Sequence, residues 1–175
     1  DDHGEVARGG MGSVRRAWDQ DLQRFVAVKI VAPSLAADPE ALDRFVREAQ
    51  ITAQLDHPNI VPVHRLARLA DGSPCLVMKL VEGCTFKAYI EALPPAPWEA
   101  TVIDDVLSVL LKVCDAVSFA HSRGVVHRDL KPENIMVGSF GRVYVMDWGI
   151  ARNLHNPEAP APLAGGDQPL RAPMG

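Results

Sequence analysis

The sequence predicts an α+β fold in two parts, an antiparallel β-sheet that comes first and a mainly helical part that follows. Short β-rich runs separated by polar turns fill most of the first part, and one amphipathic helix interrupts them over residues 40–55. Residues 98–123 then form a single long apolar helical pattern that ends at Gly124. The predicted regions are 1–82 for the first part, 83–155 for the second, and a Pro-rich mobile tail over 156–175.

Composition and charge narrow the class of partner. The chain has 175 residues with a hydrophobic fraction of 47%, enough for a core, and its net charge of −4 gives no electrostatic footprint for nucleic acid. No uninterrupted apolar run reaches the roughly 18 residues of a membrane span. The three cysteines show no C-x-x-C spacing, which favours reduced thiols and a cytoplasmic location. The alternative left open is the cytosolic part of a larger, membrane-attached protein.

A glycine cluster lies in the β-meander predicted for residues 5–31. The cluster occupies residues 7–14, Ala-Arg-Gly-Gly-Met-Gly-Ser-Val, and leads into predicted strands over 14–18 and 24–31. Glycines between strands let the backbone approach a phosphate closely and direct N–H groups at it. A glycine-rich hairpin turn is an equally common explanation, so the cluster alone is a weak indication of phosphate binding.

Lys29 ends the second of these strands, after three apolar residues. The predicted helix 40–55 carries Glu48 on or beside its inward stripe. An inward carboxylate is costly unless it is paired, so we expect Glu48 to contact Lys29. The alternatives are a solvent-exposed lysine and a surface ion pair of Glu48 with Arg44, worth about 0.3–0.5 kcal/mol. The inward stripe consists of Leu42, Phe45, Ala49 and Thr52.

Residues 127–134, His-Arg-Asp-Leu-Lys-Pro-Glu-Asn, concentrate groups that phosphoryl transfer requires. Asp129 can accept a proton from an attacking hydroxyl, Lys131 can neutralise a phosphate oxygen, and Asn134 can ligate Mg²⁺. A strand-like run ends soon afterwards in Asp147, which adds a second carboxylate. The alternatives are a charged loop with solvated side chains and an ordinary turn aspartate after a strand. The density of these groups favours catalysis.

Taken in order, these motifs resemble those of eukaryotic-like protein kinases, and the Gly-Gly-Met-Gly spelling is similar to the bacterial serine/threonine branch. The resemblance covers residues 5–152 and departs from the family at Ala7, where a glycine is usual, and at Trp148, where a phenylalanine is usual. The motifs that carry it are the glycine cluster (G-x-G-x-x-G-x-V), residues 26–29 (V-A-I-K), residues 127–134 (H-R-D-L-x-x-x-N) and residues 147–149 (D-F-G).

The resemblance implies a two-lobed kinase fold that binds ATP and Mg²⁺ and phosphorylates Ser or Thr hydroxyls of a protein substrate. By that resemblance Asp129 orients the acceptor hydroxyl and takes its proton, while Lys131 steadies the γ-phosphate. Glu48 holds Lys29 against the α- and β-phosphates. The implied Mg²⁺ ligands are Asn134 and Asp147, and the implied nucleotide contacts are Gly9, Gly12, Val14, Ala27, Lys29, Met78 as gatekeeper, the backbone of Lys79 and Val81, and Met136.

The resemblance also predicts an incomplete C-terminal lobe, that is, a truncated catalytic domain. No A-P-E motif occurs, and no Ser, Thr or Tyr follows Tyr144. A helix as apolar as 98–123 should be buried on several sides, and without the family's later helices it would expose an apolar face. A nucleotide-binding pseudokinase-like regulatory module is the main alternative, favoured by Ala7 and Trp148 but opposed by the intact charged positions. The Leu-Lys-Pro-Glu spelling after Asp129 disfavours a small-molecule kinase.

Overall fold

The computed structural model describes residues 2–9, 12–148 and 152–153. Its N-terminal part is a five-stranded antiparallel sheet with strand order β1-β2-β3-β5-β4. The strands are β1 (Asp2–Gly9), β2 (Gly12–Asp19), β3 (Arg24–Val31), β4 (Val63–Arg68) and β5 (Pro74–Lys79). The sheet therefore begins earlier than residue 5, where the prediction placed its start. Gly149 and the predicted tail over residues 156–175 lie outside the described residues.

The register of the central strands brings three residues of the cleft wall to one face of the sheet. Lys29 on β3 lies opposite Val14 on β2 and opposite Leu76 on β5. Directly opposed residues of antiparallel strands point to the same side, so these three side chains share a face. The β-branched and apolar residues of β3 suit this central position because the strand has a neighbour on each side.

One helix, α1 (Pro39–Ala53), packs against this face of the sheet. Asp38 caps it by accepting a hydrogen bond from the Glu40 N–H at 3.0 Å, and Pro39 occupies the first turn. The helix ends two residues before the predicted boundary at Leu55. Its buried positions recur at helical spacing and include the predicted stripe except for Leu42, which is half-buried against the same core. These buried positions are Ala41, Phe45, Glu48, Ala49 and Thr52.

The second part combines two helices with short strands. Strand β6 (Gly83–Thr85), which was not predicted, joins β8 (Ile135–Gly138) and β9 (Val143–Val145) in a three-stranded sheet. The helices are α2 (Phe86–Glu91) and α3 (Ala100–Ser122), and β7 (Val125–Val126) pairs with β10 (Arg152–Asn153). The hairpin formed by β8 and β9 agrees with the prediction and places residues 127–134 beside the end of β9.

Helix α3 is buried on one side only. Val109, Val113, Ala116 and Ala120 line that side and pack into the core that contains β9. The expectation of burial on several sides is therefore wrong for the described residues, whereas the expected exposed apolar face is present. That face carries Ile103, Leu107, Leu110 and Leu111, which are 40–66% exposed. None of the described helices is both long and apolar enough to cross a membrane.

The segment between α1 and β4 joins the two parts of the fold. The Asn59 side chain donates to the Val143 carbonyl at 3.0 Å, and the Asn59 carbonyl accepts from the Val145 N–H at 2.7 Å. Ile60, only 1% exposed, packs into the same core as α3. This connection holds the sheet and α1 in a defined position over the loop 127–134.

Candidate active site

A cleft of about 490 Å³ opens between the two parts, a volume typical of small-molecule sites. The first part contributes the faces of β2, β3 and β5 together with α1, and the second contributes the segment 132–136 and the end of β9. The lining residues are Ala7, Gly12, Val14, Lys29, Glu48, Thr52, Val61, Leu76, Met78, Thr85, Glu133, Asn134, Met136, Met146 and Asp147. Predicted positions of all three kinds line this cavity, whereas Asp129 and Lys131 are not among its lining residues.

Lys29 contacts two carboxylates inside this cleft. Its Nζ lies 2.6 Å from Glu48 Oε1 and 3.1 Å from Asp147 Oδ1. Burial opposes the charge of Lys29, but the two carboxylates outweigh burial and raise the pKa of the ammonium above its ordinary value of 10.5. Lys29 therefore stays a cation at neutral pH and links the sheet, α1 and the end of β9.

Glu48 faces inward, as its place on the helix indicated. Its side chain is 5% exposed, which excludes the alternative of a surface ion pair with Arg44. Burial raises the pKa of the Glu48 carboxyl, and the adjacent Lys29 ammonium offsets part of that rise. On the exposed side of α1 the i, i+4 ion pair instead joins Arg47 to Asp43 at 2.7 Å.

The loop 127–134 holds Asp129 by hydrogen bonds from two directions. Lys131 Nζ donates to Asp129 Oδ2 at 2.7 Å, and the Asn134 side-chain amide donates to the Asp129 carbonyl at 2.8 Å and to Oδ2 at 3.2 Å. The hydrogen bond from Lys131 lowers the pKa of Asp129, and the one from Asn134 acts in the same direction. Asp129 is therefore an oriented, ionised carboxylate at neutral pH, and its side chain is 40% exposed.

His127 joins this loop to the segment that carries Asp147, a role that the sequence reasoning missed. Its Nδ1 accepts from the Asp129 N–H at 3.3 Å, so its Nε2 carries the proton and donates to the Met146 carbonyl at 2.9 Å. The Met146 N–H donates in turn to the Asn134 carbonyl at 2.8 Å. The available signal in the sequence was a histidine directly after the apolar pair Val125-Val126. A polar side chain that follows two residues of a buried segment requires hydrogen-bond partners.

Trp148 anchors the Asp147 segment in the core. Its side chain is 1% exposed, and its ring lies 4.6 Å from the His127 ring. The indole N–H has no hydrogen-bond partner among the residues that the structure describes. The backbone of Asp147 is left-handed, with φ of 59°, a conformation that non-glycine residues adopt at a cost. This conformation accompanies the contact between the Asp147 carboxylate and Lys29.

The predicted nucleotide contacts divide into those that line the cleft and those that do not. Gly12, Val14, Lys29, Met78 and Met136 line it. The cleft lining also includes Leu76, which could have been inferred because it precedes Met78 by two residues on one strand and so shares its face.

Among the described residues, Ala27, Lys79 and Val81 do not line the cleft. Ala27 is 4% exposed and lies opposite Met78, so it shares the face of the sheet that borders the cleft. Lys79 and Val81 line a separate cavity of about 30 Å³, and the Lys79 N–H donates to the Pro62 carbonyl at 2.9 Å. Gly9 pairs with Gly12 across the first hairpin, whose tip at Gly10 and Met11 lies outside the described residues.

The two predicted metal ligands fit a hard cation that keeps other oxygen ligands. Asn134 uses its amide nitrogen on Asp129, which directs its Oδ1 to act as the acceptor, and Asp147 contributes carboxylate oxygens. Mg²⁺ prefers oxygen donors and is commonly held by one or two protein groups together with phosphates and water. Within the described ranges no cluster of three or more His, Cys, Asp or Glu side chains forms a separate metal site.

Comparisons with known proteins agree with this geometry. The family model described as "Protein kinase domain" matches residues 1–173. The chain is 38% identical over 154 residues to serine/threonine-protein kinase PknD of Protochlamydia amoebophila, covering 84% of this chain and 16% of that protein. It is 41% identical over 160 residues to PknD of Chlamydia muridarum, covering 87% of this chain and 17% of that protein. The chain thus spans less than a fifth of the length of these curated relatives.

A solved structure shows the same fold. The kinase domain of Mycobacterium tuberculosis PknI, solved as a point mutant, superposes with a TM-score of 0.68 and 32% sequence identity, covering 83% of this chain and 57% of that chain. The predicted α+β, two-lobed fold class is therefore confirmed. The chain belongs to the protein kinase domain family, among relatives that are bacterial serine/threonine-protein kinases.

Proposed function

We propose that this chain carries the nucleotide-binding and phosphoryl-transfer groups of a serine/threonine protein kinase. The reaction is transfer of the γ-phosphate of ATP to a Ser or Thr hydroxyl of a protein substrate. The observation that carries the proposal is the position of Lys29, whose ammonium contacts Glu48 and Asp147 inside a cleft that Asn134 also lines. Phosphoryl transfer depends chiefly on positioning and charge stabilisation, and this arrangement supplies both.

The cleft provides separate surfaces for the base and the phosphates of ATP. Val14, Leu76, Met78 and Met136 give it apolar walls that suit the flat face of an adenine ring. Lys29 supplies the positive charge for the α- and β-phosphates. Its ion pair with Glu48 holds the ammonium in one place, so little rearrangement is needed when a phosphate arrives.

Asp129 receives the acceptor hydroxyl. Its lowered pKa keeps it ionised, and an ionised carboxylate accepts a hydrogen bond from a Ser or Thr hydroxyl. The same lowered pKa makes it a weak base, so its main contribution is to orient the hydroxyl, with proton acceptance following the transfer. Lys131 lies 2.7 Å from Asp129 and places a cation where the transferred phosphoryl group carries negative charge.

Asn134 and Asp147 would hold Mg²⁺ delivered with the nucleotide. A bound Mg²⁺ neutralises charge on the β- and γ-phosphate oxygens. The chain's own contribution is to orient the two ligand side chains. Asn134 is fixed by its bonds to Asp129, and Asp147 is fixed by its contact with Lys29 and by the burial of Trp148.

We place the reaction in the cytoplasm. ATP is available there, and the three cysteines, Cys75, Cys84 and Cys114, are free thiols, as expected of a reducing compartment. The proposed partners are ATP and a protein with a Ser or Thr acceptor.

The test uses the catalytic domain extended through the C-terminal lobe that the family resemblance predicts. It measures two quantities, the dissociation constant for Mg·ATP and the transfer of labelled γ-phosphate to a serine-containing protein. Wild type is compared with Asp129→Asn and with Asp43→Asn, which removes an exposed carboxylate of the same type on α1. We expect transfer by wild type and Asp43→Asn, and its loss in Asp129→Asn with nucleotide binding retained.

Two outcomes would contradict the proposal. Mg·ATP binding without transfer by any variant would favour the regulatory-module alternative. Absence of both binding and transfer would overturn nucleotide chemistry at this cleft.

A further inference from the structure

Charged side chains of alternating sign follow one another from α2 to the loop 127–134. Glu133 lines the cleft, and its Oε1 lies 3.1 Å from the Lys87 Nζ on α2. In the loop 127–134, Lys131 pairs with Asp129 at 2.7 Å. Lys131 also attracts Glu133 electrostatically, and Glu91 attracts Lys87 in the same way.

Local structure fixes both partners of the outer pair. Thr85 caps α2 by accepting from the Ala88 N–H at 3.1 Å, which sets the first turn of the helix and hence the position of Lys87. Glu133 lies in the turn 132–134, next to Asn134, whose side chain holds Asp129. Glu133 therefore directly precedes the residue that holds Asp129, and both Glu133 and Asn134 line the cleft.

We propose that Lys87 is a specificity-determining residue that, by pairing with Glu133, neutralises a carboxylate beside the acceptor site and keeps the site indifferent to basic residues next to the acceptor Ser or Thr. This inference rests on the proposed function. The substrate class that it assigns is a protein segment selected by features other than flanking Arg or Lys.

The Lys87–Glu133 pair is exposed enough for a substrate Arg to reach Glu133. The Lys87 and Glu133 side chains are 51% and 45% exposed, so solvent and salt screen their attraction. A substrate Arg that approaches Glu133 must displace Lys87 and gains no net ion pair in doing so. Without Lys87 the same Arg would find an unpaired carboxylate, and exposed pairs of this kind change a binding constant by about twofold to fivefold.

The hydrogen bond and charge of Glu133 raise the pKa of Lys87, so Lys87 is fully charged at neutral pH. The neutralisation of Glu133 by Lys87 therefore does not change with pH in the physiological range. It follows that sequence change at position 87 would alter peptide preference without altering Asp129, Asn134 or Lys29.

The experiment compares two serine peptides that differ only in the residues flanking the serine, Arg in one and norleucine in the other. Their dissociation constants are measured on the chain loaded with Mg²⁺ and a non-hydrolysable ATP analogue. The variants are Lys87→Gln, Glu133→Gln, the double variant, and the control Arg47→Gln, which breaks an exposed ion pair with Asp43 on α1.

We expect the ratio of the two dissociation constants to lie within about twofold of unity in wild type, Glu133→Gln, the double variant and Arg47→Gln. In Lys87→Gln we expect the ratio to move about twofold to fivefold in favour of the Arg peptide. Partial unfolding would affect both peptides equally, so it cannot produce this change.

The inference is overturned by an unchanged ratio in Lys87→Gln, by an equal change in Arg47→Gln, or by failure of both peptides to bind wild type. Transfer of phosphate to the norleucine peptide is measured separately. If the ratio moves as expected while no phosphate is transferred, the proposed function fails and the role of the Lys87–Glu133 pair in peptide selection stands. If phosphate is transferred while the ratio does not move, the proposed function stands and the role of the pair fails.

Discussion

The rings of Trp148 and His127 lie 4.6 Å apart, and this contact couples the two segments that carry the carboxylates of the site. His127 hydrogen-bonds to the backbone of Asp129, and Trp148 follows Asp147 directly in the chain. Movement of either ring would therefore disturb Asp129 or Asp147. The contact is a structural basis for keeping both carboxylates on the same cleft.

Replacing Trp148 by Ala should lower the free energy of unfolding by about 3–5 kcal/mol, because it removes a large side chain that is fully buried. Trp148→Phe should cost less, because it also removes a buried N–H without a partner among the described residues. Denaturant unfolding measures both. The control is Trp98→Ala, whose ring is 37% exposed and should cost much less. Equal losses for Trp148→Ala and Trp98→Ala would contradict the anchoring role.

Lys29→Met should abolish Mg·ATP binding and destabilise the fold, because Glu48 is left buried without its cation. The pKa of Lys29 is raised in the folded state, so its stabilising contribution is complete below about pH 10 and is lost as the pH rises through the folded pKa. The difference in unfolding free energy between wild type and Lys29→Met should therefore shrink as the pH rises above about pH 10. A difference that grows with pH above about pH 10 would contradict a raised pKa of Lys29 in the folded state.

Lys131→Ala should raise the pKa of Asp129, since the hydrogen bond from Lys131 is the main cause that lowers it. NMR titration of the Asp129 carboxyl carbon measures the change directly, with a higher midpoint expected in the variant. Lys112→Ala serves as the control because Lys112 donates to the Gly141 carbonyl and to no carboxylate of the site. An unshifted Asp129 midpoint in Lys131→Ala would contradict the role assigned to this hydrogen bond.

Gly12→Ala should destabilise the first hairpin by roughly 2–4 kcal/mol, because φ is +154° and an added Cβ would collide with the Ile30 carbonyl oxygen. Gly4→Ala is the matched control, since its φ is also positive but no atom lies within 4 Å of an added Cβ. Thermal unfolding of the two variants separates collision from backbone strain. Equal losses would mean that the close approach of β2 to β3 does not require glycine.

Sequence periodicity predicted that Glu48 faces inward, and the resemblance to the kinase family favoured Lys29 over Arg44 as its partner. The stripe of α1 places Glu48 inward, and an inward carboxylate needs a cation. The same reasoning could not place Asp147 against Lys29, because 118 residues separate them and no local pattern records that contact. The bounds of α1 and α3 each differed from the prediction by about two residues, since apolar periodicity does not mark where a helix begins or ends.

The exposed side of α3 illustrates a second limit of prediction from the sequence. The apolar residues all around the helix indicated burial, yet only the positions facing β9 are covered. Periodicity reports which residues are apolar, whereas burial depends on what else packs against them.

The sequence by itself determined the order of the elements, the identity of the charged groups and the inward direction of Glu48, because these depend on local spacing and side-chain chemistry. Only the tertiary structure decided that Lys29 contacts both Glu48 and Asp147, that His127 ties Asp129 to the end of β9, and that Lys87 neutralises Glu133. Those contacts join residues far apart in the chain. They form only when the sheet, α1 and the second part are packed together, since burial and distance, not spacing along the chain, set which charges meet.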